Sequence, residues 1–251
     1  MTKYLILDTE SVFDQYLREA YEDIDDKCET ARIASRKLVA LSLWPIEVDQ
    51  HGRITTGAIA TWSADSCGGE EALLRNVFMY MTELADHTLV TYGGLAVDCQ
   101  ILQLAAMTAD LALPPQLREQ TGPRWKSAKH QDLGLALKGS GKTWHHMTEV
   151  LIRLGVPVAL LLGKADPDIR PDRIDWPRVR QHCEADVLLT ALVLIAWLRL
   201  QGGESLNIAA GQLAIVEAFM RRRPGSMREP ILRRLADDLH ARIAGALDEA
   251  A

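Results

Sequence analysis

The chain begins with a short apolar strand that leads directly into two carboxylates. Tyr4 to Leu7 form an uninterrupted apolar run, which is typical of a central β-strand buried on both faces. Asp8 and Glu10 follow, and side chains two residues apart on extended backbone point the same way, so both should face one spot at the strand's end. Like charges held this close repel each other unless a cation lies between them. On its own an Asp-x-Glu pair more often belongs to an ordinary charged surface, so a cation site requires further acids from elsewhere.

The length and composition are those of a globular protein with a sizeable core. With 251 residues, 48% apolar and 25% charged, the chain fits one α/β domain with additions, or one domain plus a helical extension. The four cysteines are scattered without a Cys-x-x-Cys pair, which argues against a structural zinc site or a disulfide framework. No leader sequence or membrane-spanning apolar run is present, so we expect a cytoplasmic protein.

The net charge of −6 counts mildly against a nucleic-acid-binding protein, since such proteins are usually basic. Basic residues are nevertheless clustered, and a local patch can bind phosphates because screening cuts off distant charges within about 8 Å. A solvated face explains each cluster equally well. The clusters are Arg32, Arg36 and Lys37; Arg124, Lys126 and Lys129; residues 170–180; and residues 221–234.

Apolar patterning predicts a meander of strands followed by helices. A second strand is expected over 37–44, stopped by Pro45, and a turn over 50–53 leads to a returning strand over 57–62. A fourth short strand is expected over 89–92. Helical spacing predicts helices over 70–85, 98–107, 146–154, 178–200, 206–220 and 228–247. Loops are expected over 110–130 and 163–177, and a loop or short helix over 12–30.

Further acidic residues occur on elements that can meet the first strand. Asp98 opens the helix that follows the fourth strand, and Asp186 lies on the long helix over 178–200. His182 precedes Asp186 by four residues and therefore shares its helical face, which is entering an apolar stripe where a charge needs a partner. Taken singly, Asp98 is typical of a helix N-cap and His182 of a surface histidine. Together with Asp8 and Glu10, they fit a two-metal phosphodiesterase.

The chain resembles the DEDD superfamily of 3′–5′ exonucleases, which have a ribonuclease H-like fold. Within it, the chain is most similar to predicted exonucleases related to the proofreading domains of family B DNA polymerases. Asp8 and Glu10 match the first motif, Asp98 the second, and His182 with Asp186 the third. Segments 130–133 and 154–157 resemble the family's linking segments. The similarity covers residues 3–200 and leaves the last fifty residues outside it.

The resemblance implies a fold, an activity and a set of ligands. We expect an α/β, ribonuclease H-like mixed sheet flanked by helices over residues 1–204, with a C-terminal helical extension over 205–251. Asp8, Glu10, Asp98 and Asp186 would hold two Mg²⁺ or Mn²⁺ ions, and His182 would orient or deprotonate the attacking water. The expected partners are 3′ ends of single-stranded DNA or RNA, without a membrane. Oligomeric state is left open.

Two positions depart from the family pattern. Tyr92 and Val97 stand where the second motif usually has Asn and an aromatic residue, which affects how a terminal nucleotide is gripped. His182 lies four residues before Asp186, where the family commonly has Tyr, and Gln181 occupies the position of its alternative His. His-type general-base chemistry is therefore not implied by the resemblance.

Two other functions are compatible with the sequence. One is a catalytically weak or inactive module of the same fold that binds nucleic acid or a protein partner, which the altered motifs favour. The other is a nucleotide-binding protein that uses Gly139-Ser140-Gly141-Lys142-Thr143 as a phosphate loop. That segment lacks the first glycine of the motif, because position 136 is Ala, and no clear strand leads into it. A flexible turn explains it as well.

Overall fold

The protein is built on one mixed β-sheet with helices on both faces, which confirms the predicted α/β class. A computed structural model describes residues 1–24, 33–118, 129–162, 173–226 and 228–248. Within them, strands and helices alternate up to residue 132, and helices account for the regular structure that follows.

The predicted helices are confirmed to within a few residues, because each one carries a clear apolar stripe. The strands are β1 (Thr2–Phe13), β2 (Arg36–Val48), β3 (Ile54–Thr56), β4 (Ala60–Ser63), β5 (Thr88–Thr91) and β6 (His130–Asp132). The helices are α1 (Gln15–Glu22), α2 (Ala64–Cys67), α3 (Glu70–Glu83), α4 (Asp98–Thr108), α5 (Leu133–Lys138), α6 (Met147–Arg153), α7 (Val158–Leu162), α8 (Trp176–Leu200), α9 (Ile208–Arg222) and α10 (Glu229–Asp248).

The sheet combines an antiparallel meander with two parallel strands. Its order is β3-β2-β1-β5-β6, and β4 also pairs with β2. β2 runs antiparallel to β1, β3 and β4, whereas β5 runs parallel to both β1 and β6. This order and these directions are those of a ribonuclease H-like sheet, so the predicted fold is confirmed.

β1 lies between two hydrophobic cores, one on each face of the sheet. Ile6 faces the core formed with α8 and α9, whereas Leu5 and Leu7 face the core formed with α3 and α4. All three side chains are at most 1% exposed. Burial on both faces is what the uninterrupted apolar run predicted for a central strand.

β1 is longer than predicted, which changes the setting of its two acids. The strand continues to Phe13 because β2 pairs with it along its whole length, from Thr2 opposite Val48 to Phe13 opposite Arg36. Asp8 and Glu10 therefore lie inside the strand and not at its end.

The prediction that Pro45 stops the second strand was wrong. β2 runs through it, and Pro45 lies opposite Leu5 of β1. Its carbonyl oxygen accepts a hydrogen bond from the Gly57 nitrogen at 2.9 Å, so its backbone polar side faces the gap between β3 and β4. Proline has no backbone N–H, but at this position an N–H would point into the gap and would not hydrogen-bond to β1. Proline therefore costs the sheet no hydrogen bond between β1 and β2.

Several short elements did not follow from the sequence. β6 and α7 were not predicted, and residues 15–22 form helix α1 where a loop was the alternative. Segment 139–143 is exposed and follows helix α5, whereas a phosphate loop requires a buried strand before it. Parts of three predicted loops lie outside the described residues (25–30, 119–128 and 163–172), as do the basic residues Arg32, Arg124, Lys126 and Arg170.

The C-terminal helices pack against the sheet and α8. Leu213, Val216 and Leu239 are buried in the same core as Ile6 of β1. The Trp44 ring of β2 meets the Phe219 ring of α9 edge to face, with centroids 6.0 Å apart. The boundary between a nuclease domain and an extension after residue 204 stays a prediction.

The two longest helices both carry charged side chains. α8 has 25 residues and α10 has 20. Across the described ranges, no helix is both long enough and apolar enough to cross a membrane.

Candidate active site

The two acids of β1 face α8. Side chains alternate along the strand, so Asp8 and Glu10 share the face of Ile6, which packs in the core formed with α8. A β-bulge follows, because Glu10 lies opposite Ala40 while Ser11 lies opposite Leu38. Bulges often re-aim side chains next to active sites. The alternation is thus interrupted immediately after the second carboxylate.

One edge of β1 is uncovered beside these acids. β5 pairs with β1 only from Tyr4 to Ile6 and ends at Thr91. The turn over residues 92–97 then leads into α4, which begins at Asp98. Asp98 therefore reaches β1 from the open edge, next to the strand segment that carries Asp8 and Glu10.

The buried Asp132 holds this turn in place. Its carboxylate oxygens accept hydrogen bonds from the backbone N–H groups of Gly93 and Leu95, each at 2.9 Å, and of Leu135 at 3.0 Å. Gly93 has φ +80°, and a Cβ there would lie 2.8 Å from the Trp144 ring. A glycine is needed at this position for both reasons. Asp132 is a positioning residue for Asp98.

Asp98 contacts β1 through Thr9, whose hydroxyl donates a hydrogen bond to the Asp98 carboxylate. The pKa of Asp98 is raised to about 7, chiefly by burial and also by the nearby charges of Glu10 and Asp132, while the Thr9 hydrogen bond opposes the shift. A carboxyl group whose pKa is raised mainly by burial, with like charges nearby, is a candidate functional group. The predicted helix N-cap role is not observed, because Val97 is the N-cap residue and Asp98 the first helical residue.

The third motif reaches β1 through His182. Its Nδ1 lies 2.5 Å from Oε1 of Glu10, across 172 residues of sequence. The adjacent Cys183 thiol donates to the Asp8 carbonyl oxygen at 3.1 Å. Burial, with the charges of Asp8 and Glu10, raises the Cys183 pKa well above its ordinary value, so the thiol stays protonated. Asp186, which is 7% exposed, lies one helical turn beyond His182.

A second ion pair ties α9 to α8 within the same stretch. Arg223 binds Glu184 through two nitrogens, Nε to Oε2 at 2.6 Å and Nη2 to Oε1 at 2.8 Å. The Thr61 hydroxyl also donates to Glu184, at 2.8 Å. Bidentate arginine–carboxylate pairs fix geometry as well as charge. The end of α9 is thereby fixed to the helix segment that carries His182 and Asp186.

Arg228, at the start of α10, brings a positive charge close to these acids. Burial lowers the pKa of its guanidinium, and the opposite charge of Asp186 raises it. Arg228 and His182 both line a cavity of about 760 Å³ between α7, α8 and the α9–α10 turn. A cation from the C-terminal helices thus lies beside the third motif.

The donor chemistry of the site suits a hard divalent cation, but the ligands are not assembled around one point. Among the residues described, no three His, Cys, Asp or Glu side chains are grouped closely enough to hold a single metal ion. Glu10 is held by His182, and Asp98 by Thr9. Carboxylate oxygens are nonetheless the ligands that Mg²⁺ and Mn²⁺ prefer, and a cation would offset both the burial of Asp98 and the charges of Glu10 and Asp132, which together raise its pKa.

All five residues predicted from the sequence therefore lie on β1 or on elements that contact it. Glu10 and His182 are in direct contact, and Asp98 reaches the strand through Thr9. Sequence reasoning missed three neighbours: Thr9, Asp132 and Cys183. Of these, Asp132 carried a signal, since an Asp directly before an apolar helical run is a typical N-cap. Arg223 and Arg228 belong to the basic cluster over residues 221–234, but their place beside the third motif did not follow from the sequence.

Neither a protein-family model nor a curated protein matches the chain. Among solved structures, it is similar to the family B DNA polymerase from the hyperthermophilic archaeon Pyrobaculum calidifontis, with a TM-score of 0.45, 13% identity, 88% of this chain covered and 29% of that one. The zinc-bound complex of E. coli ExoI with single-stranded DNA is similar with a TM-score of 0.40 and 10% identity, and the match covers 82% of this chain and 42% of that one. Another structure of exonuclease I has a TM-score of 0.40 and 13% identity, and the match covers 87% of this chain and 46% of that one. The chain spans less than half the length of each of these proteins, so its function has to be inferred from the site itself.

Proposed function

We propose that this protein is a metal-dependent 3′–5′ exonuclease that hydrolyses phosphodiester bonds at the 3′ ends of single-stranded DNA or RNA. One observation carries the proposal. His182 of the third motif is hydrogen-bonded to Glu10 of the first, at 2.5 Å, while Asp98 of the second bonds to Thr9 between the two β1 acids. Three segments far apart in sequence meet at one stretch of one strand.

Asp8, Glu10, Asp98 and Asp186 would hold two Mg²⁺ or Mn²⁺ ions. Two such ions would supply activation of a water molecule and stabilisation of the leaving 3′ oxygen. To serve as ligands, Glu10 and Asp98 would give up their contacts with His182 and Thr9. Asp98, whose pKa is raised to about 7, would serve as a ligand in its ionised form.

His182 would orient the attacking water or accept its proton. A neutral imidazole accepts a proton near pH 7, and general-base catalysis of this kind contributes about 10²–10⁴-fold to a rate. The bond from Nδ1 to Glu10 fixes the plane of the ring, which is only 12% exposed. The chain's own contribution is thus to hold the imidazole in one orientation beside the first motif.

A catalytically weak nucleic-acid-binding module is the second candidate. It is favoured by the absence of a three-ligand group among the described side chains and by the Tyr92 and Val97 substitutions. It differs from the exonuclease in one respect that can be measured: the module binds single strands and leaves them intact.

End-labelled single strands of DNA and RNA distinguish the two candidates. With Mg²⁺ or Mn²⁺, we expect a 3′ label to appear first as a mononucleotide, whereas a 5′ label should give a descending ladder. Asp8→Ala and Asp186→Ala should each abolish both products, while Asp238→Ala, which removes an exposed carboxylate of α10, should not. If every strand is bound but stays intact with each divalent ion, the module replaces the exonuclease.

A further inference from the structure

Glu184 lies on α8 between His182 and Asp186, and its carboxylate is held from two sides. Thr61 of β4 donates a hydrogen bond to it at 2.8 Å. Arg223, which directly follows α9, donates to it through two nitrogens, at 2.6 and 2.8 Å. The Glu184 side chain is only 12% exposed, and a nearly buried carboxylate is costly unless it is paired and hydrogen-bonded. These donors therefore fix the position of Glu184.

A row of polar side chains leads from the first motif to Glu184. Asp8 lies opposite Ser42 of β2, and Ser42 lies opposite Thr61 of β4, and directly opposed residues project from the same face of a sheet. The hydroxyl oxygens of the buried Ser42 and of Thr61 are 3.0 Å apart. Because the Thr61 hydroxyl donates its proton to Glu184, Ser42 is the donor to Thr61. The row thus begins at the strand position of Asp8 and ends on α8.

The turn of α8 that carries His182 is bound to β4 on both sides of this residue. Two residues before it, Arg180 donates to the hydroxyl of Ser63, the last residue of β4, at 2.8 Å. Two residues after it, Glu184 accepts the bond from Thr61. The orientation of this turn, and with it the direction of the His182 ring, therefore depends on what holds Arg180 and Glu184.

Arg223 uses every nitrogen of its guanidinium on protein groups. Besides the two bonds to Glu184, Nη2 donates to the Ile59 carbonyl oxygen at 3.3 Å, and Nη1 to the Arg222 carbonyl oxygen at 3.1 Å. The guanidinium of the neighbouring Arg222 donates instead to the Thr56 carbonyl oxygen of β3. The two arginines form a matched pair, since one is bound to α8 and the other to the edge of the sheet.

We propose that Arg223 is a positioning residue for the third motif, which it holds in place against the β1 acids through the carboxylate of Glu184. The inference rests on the proposed function, because it concerns the same site. Arg223 acts without touching the strand or a metal ion. The last two helices thereby become part of the catalytic unit, although the exonuclease resemblance ends before them.

Hydrogen–deuterium exchange in EDTA tests the positioning without a substrate or a metal ion. Arg223→Gln removes the charge that is paired with Glu184. The backbone amides of residues 182–186 should then exchange about tenfold faster, the factor expected when a hydrogen bond between charged groups is lost. The matched change Arg222→Gln should leave this segment as it is in the wild type. Equal exchange in Arg223→Gln and the wild type would overturn the positioning role.

Steady-state cleavage of a labelled single strand separates positioning from strand binding. In Arg223→Gln, kcat should fall by about 10–10²-fold, because a displacement of about 1 Å at a reacting group can cost 10²-fold, whereas KM should hardly change. The double variant Arg223→Gln/Glu184→Gln should lose no more than the weaker of the two single variants, because each change removes the same contact. Arg223→Lys keeps the charge and one contact, so it should recover most of the kcat.

The outcomes for the two proposals are distinct. Cleavage by the wild type, together with an unchanged kcat in Arg223→Gln, would contradict the positioning role alone. Additive losses in the double variant, or a raised KM with an unchanged kcat, would also contradict it, because Arg223 would then act without Glu184 or on the strand itself. Faster exchange over residues 182–186 in Arg223→Gln, without cleavage by the wild type, would contradict the exonuclease and leave the positioning role intact. If Arg223→Gln does not fold, Arg223→Lys is compared with Arg222→Lys, and equal exchange over this segment in the two would overturn the role.

Discussion

His182 Nδ1 and Glu10 Oε1 lie 2.5 Å apart. His182, of the third motif, thus contacts Glu10, a candidate metal ligand of the first motif. Both side chains are nearly buried, with 12% and 13% of their surface exposed. The contact joins the N-terminal half of α8 to the middle of β1. It orients the imidazole, and it also occupies a carboxylate oxygen that a metal ion would use.

Substitutions at His182 test whether its imidazole acts on a proton. Asn places an amide nitrogen near the position of Nδ1, so His182→Asn should preserve the bond to Glu10 while removing the titratable ring. We expect kcat to fall by about 10²–10⁴-fold in both His182→Asn and His182→Ala. The pH–rate profile should lose the contribution of the imidazole in both variants, while Asp98 still titrates. An unchanged profile in His182→Asn would show that this histidine does not act on a proton.

Asp98 destabilises the fold at neutral and alkaline pH in the absence of a divalent ion. Its folded pKa of about 7 exceeds its ordinary value of 3.8. Between pH 3.8 and 7, Asp98 loses its proton in the unfolded chain but keeps it in the folded chain, so the free energy of unfolding falls as pH rises. Above pH 7 the whole loss of stability is present. Asp98→Asn should therefore raise the melting temperature at pH 8 in EDTA and change it little at pH 4.

The shift for Asp98→Asn should amount to a few degrees, since about 1 kcal/mol moves the melting temperature by roughly 2–4 °C in a domain of this size. Asp238→Asn, an exposed change on α10, is the control and should show no such pH-dependent gain. Equal melting temperatures for Asp98→Asn and wild type at pH 8 would contradict a raised Asp98 pKa in the folded protein.

His130 acts in the opposite pH direction. It is fully buried beside Thr91, and burial lowers its pKa from 6.5 to about 4. Between pH 6.5 and 4 the unfolded chain takes up a proton that the folded chain refuses, so stability is lost as pH falls through this window. His130→Gln should reduce the slope of the unfolding free energy by about 1.4 kcal/mol per pH unit. Chemical denaturation at several pH values measures it, with the exposed His51→Gln as control.

Asp132 should be important for both stability and activity. It accepts three backbone hydrogen bonds from the turn before α4 and from α5. Asp132→Ala leaves these donors unpaired, at about 1–3 kcal/mol each, so a loss of several kcal/mol in the unfolding free energy is expected. Asp132→Asn keeps one acceptor and should fold. If its turn is displaced, kcat falls although Asp132 does not touch the reacting atoms.

Much of the fold followed from local pattern in the sequence. The apolar run before Asp8 and the stripes of α3, α4 and α8 to α10 report burial directly, because each residue's neighbours along the chain share its environment. Strand lengths did not follow. β1 and β2 extend because they pair with each other, and Pro45 is tolerated because its nitrogen faces a gap between two other strands.

The acids of the site followed from motif order, whereas their partners did not. Thr9, Asp132 and Arg223 bond to residues 37 to 89 positions away in sequence, and Arg228 lies near Asp186 of another helix. No periodicity links such pairs. The order of the motifs also did not predict that Glu10 would contact His182 and that Asp98 would accept a hydrogen bond from Thr9.

Titration with Mn²⁺ measured by calorimetry tests the central claim most directly, because it needs neither a substrate nor turnover. The account predicts two Mn²⁺ ions per wild-type chain, a release of protons from Asp98 on binding near pH 7, and at least tenfold weaker binding in Asp8→Asn, with Asp238→Asn unchanged. Absence of Mn²⁺ binding at millimolar concentrations, or equal binding by Asp8→Asn and wild type, would contradict it.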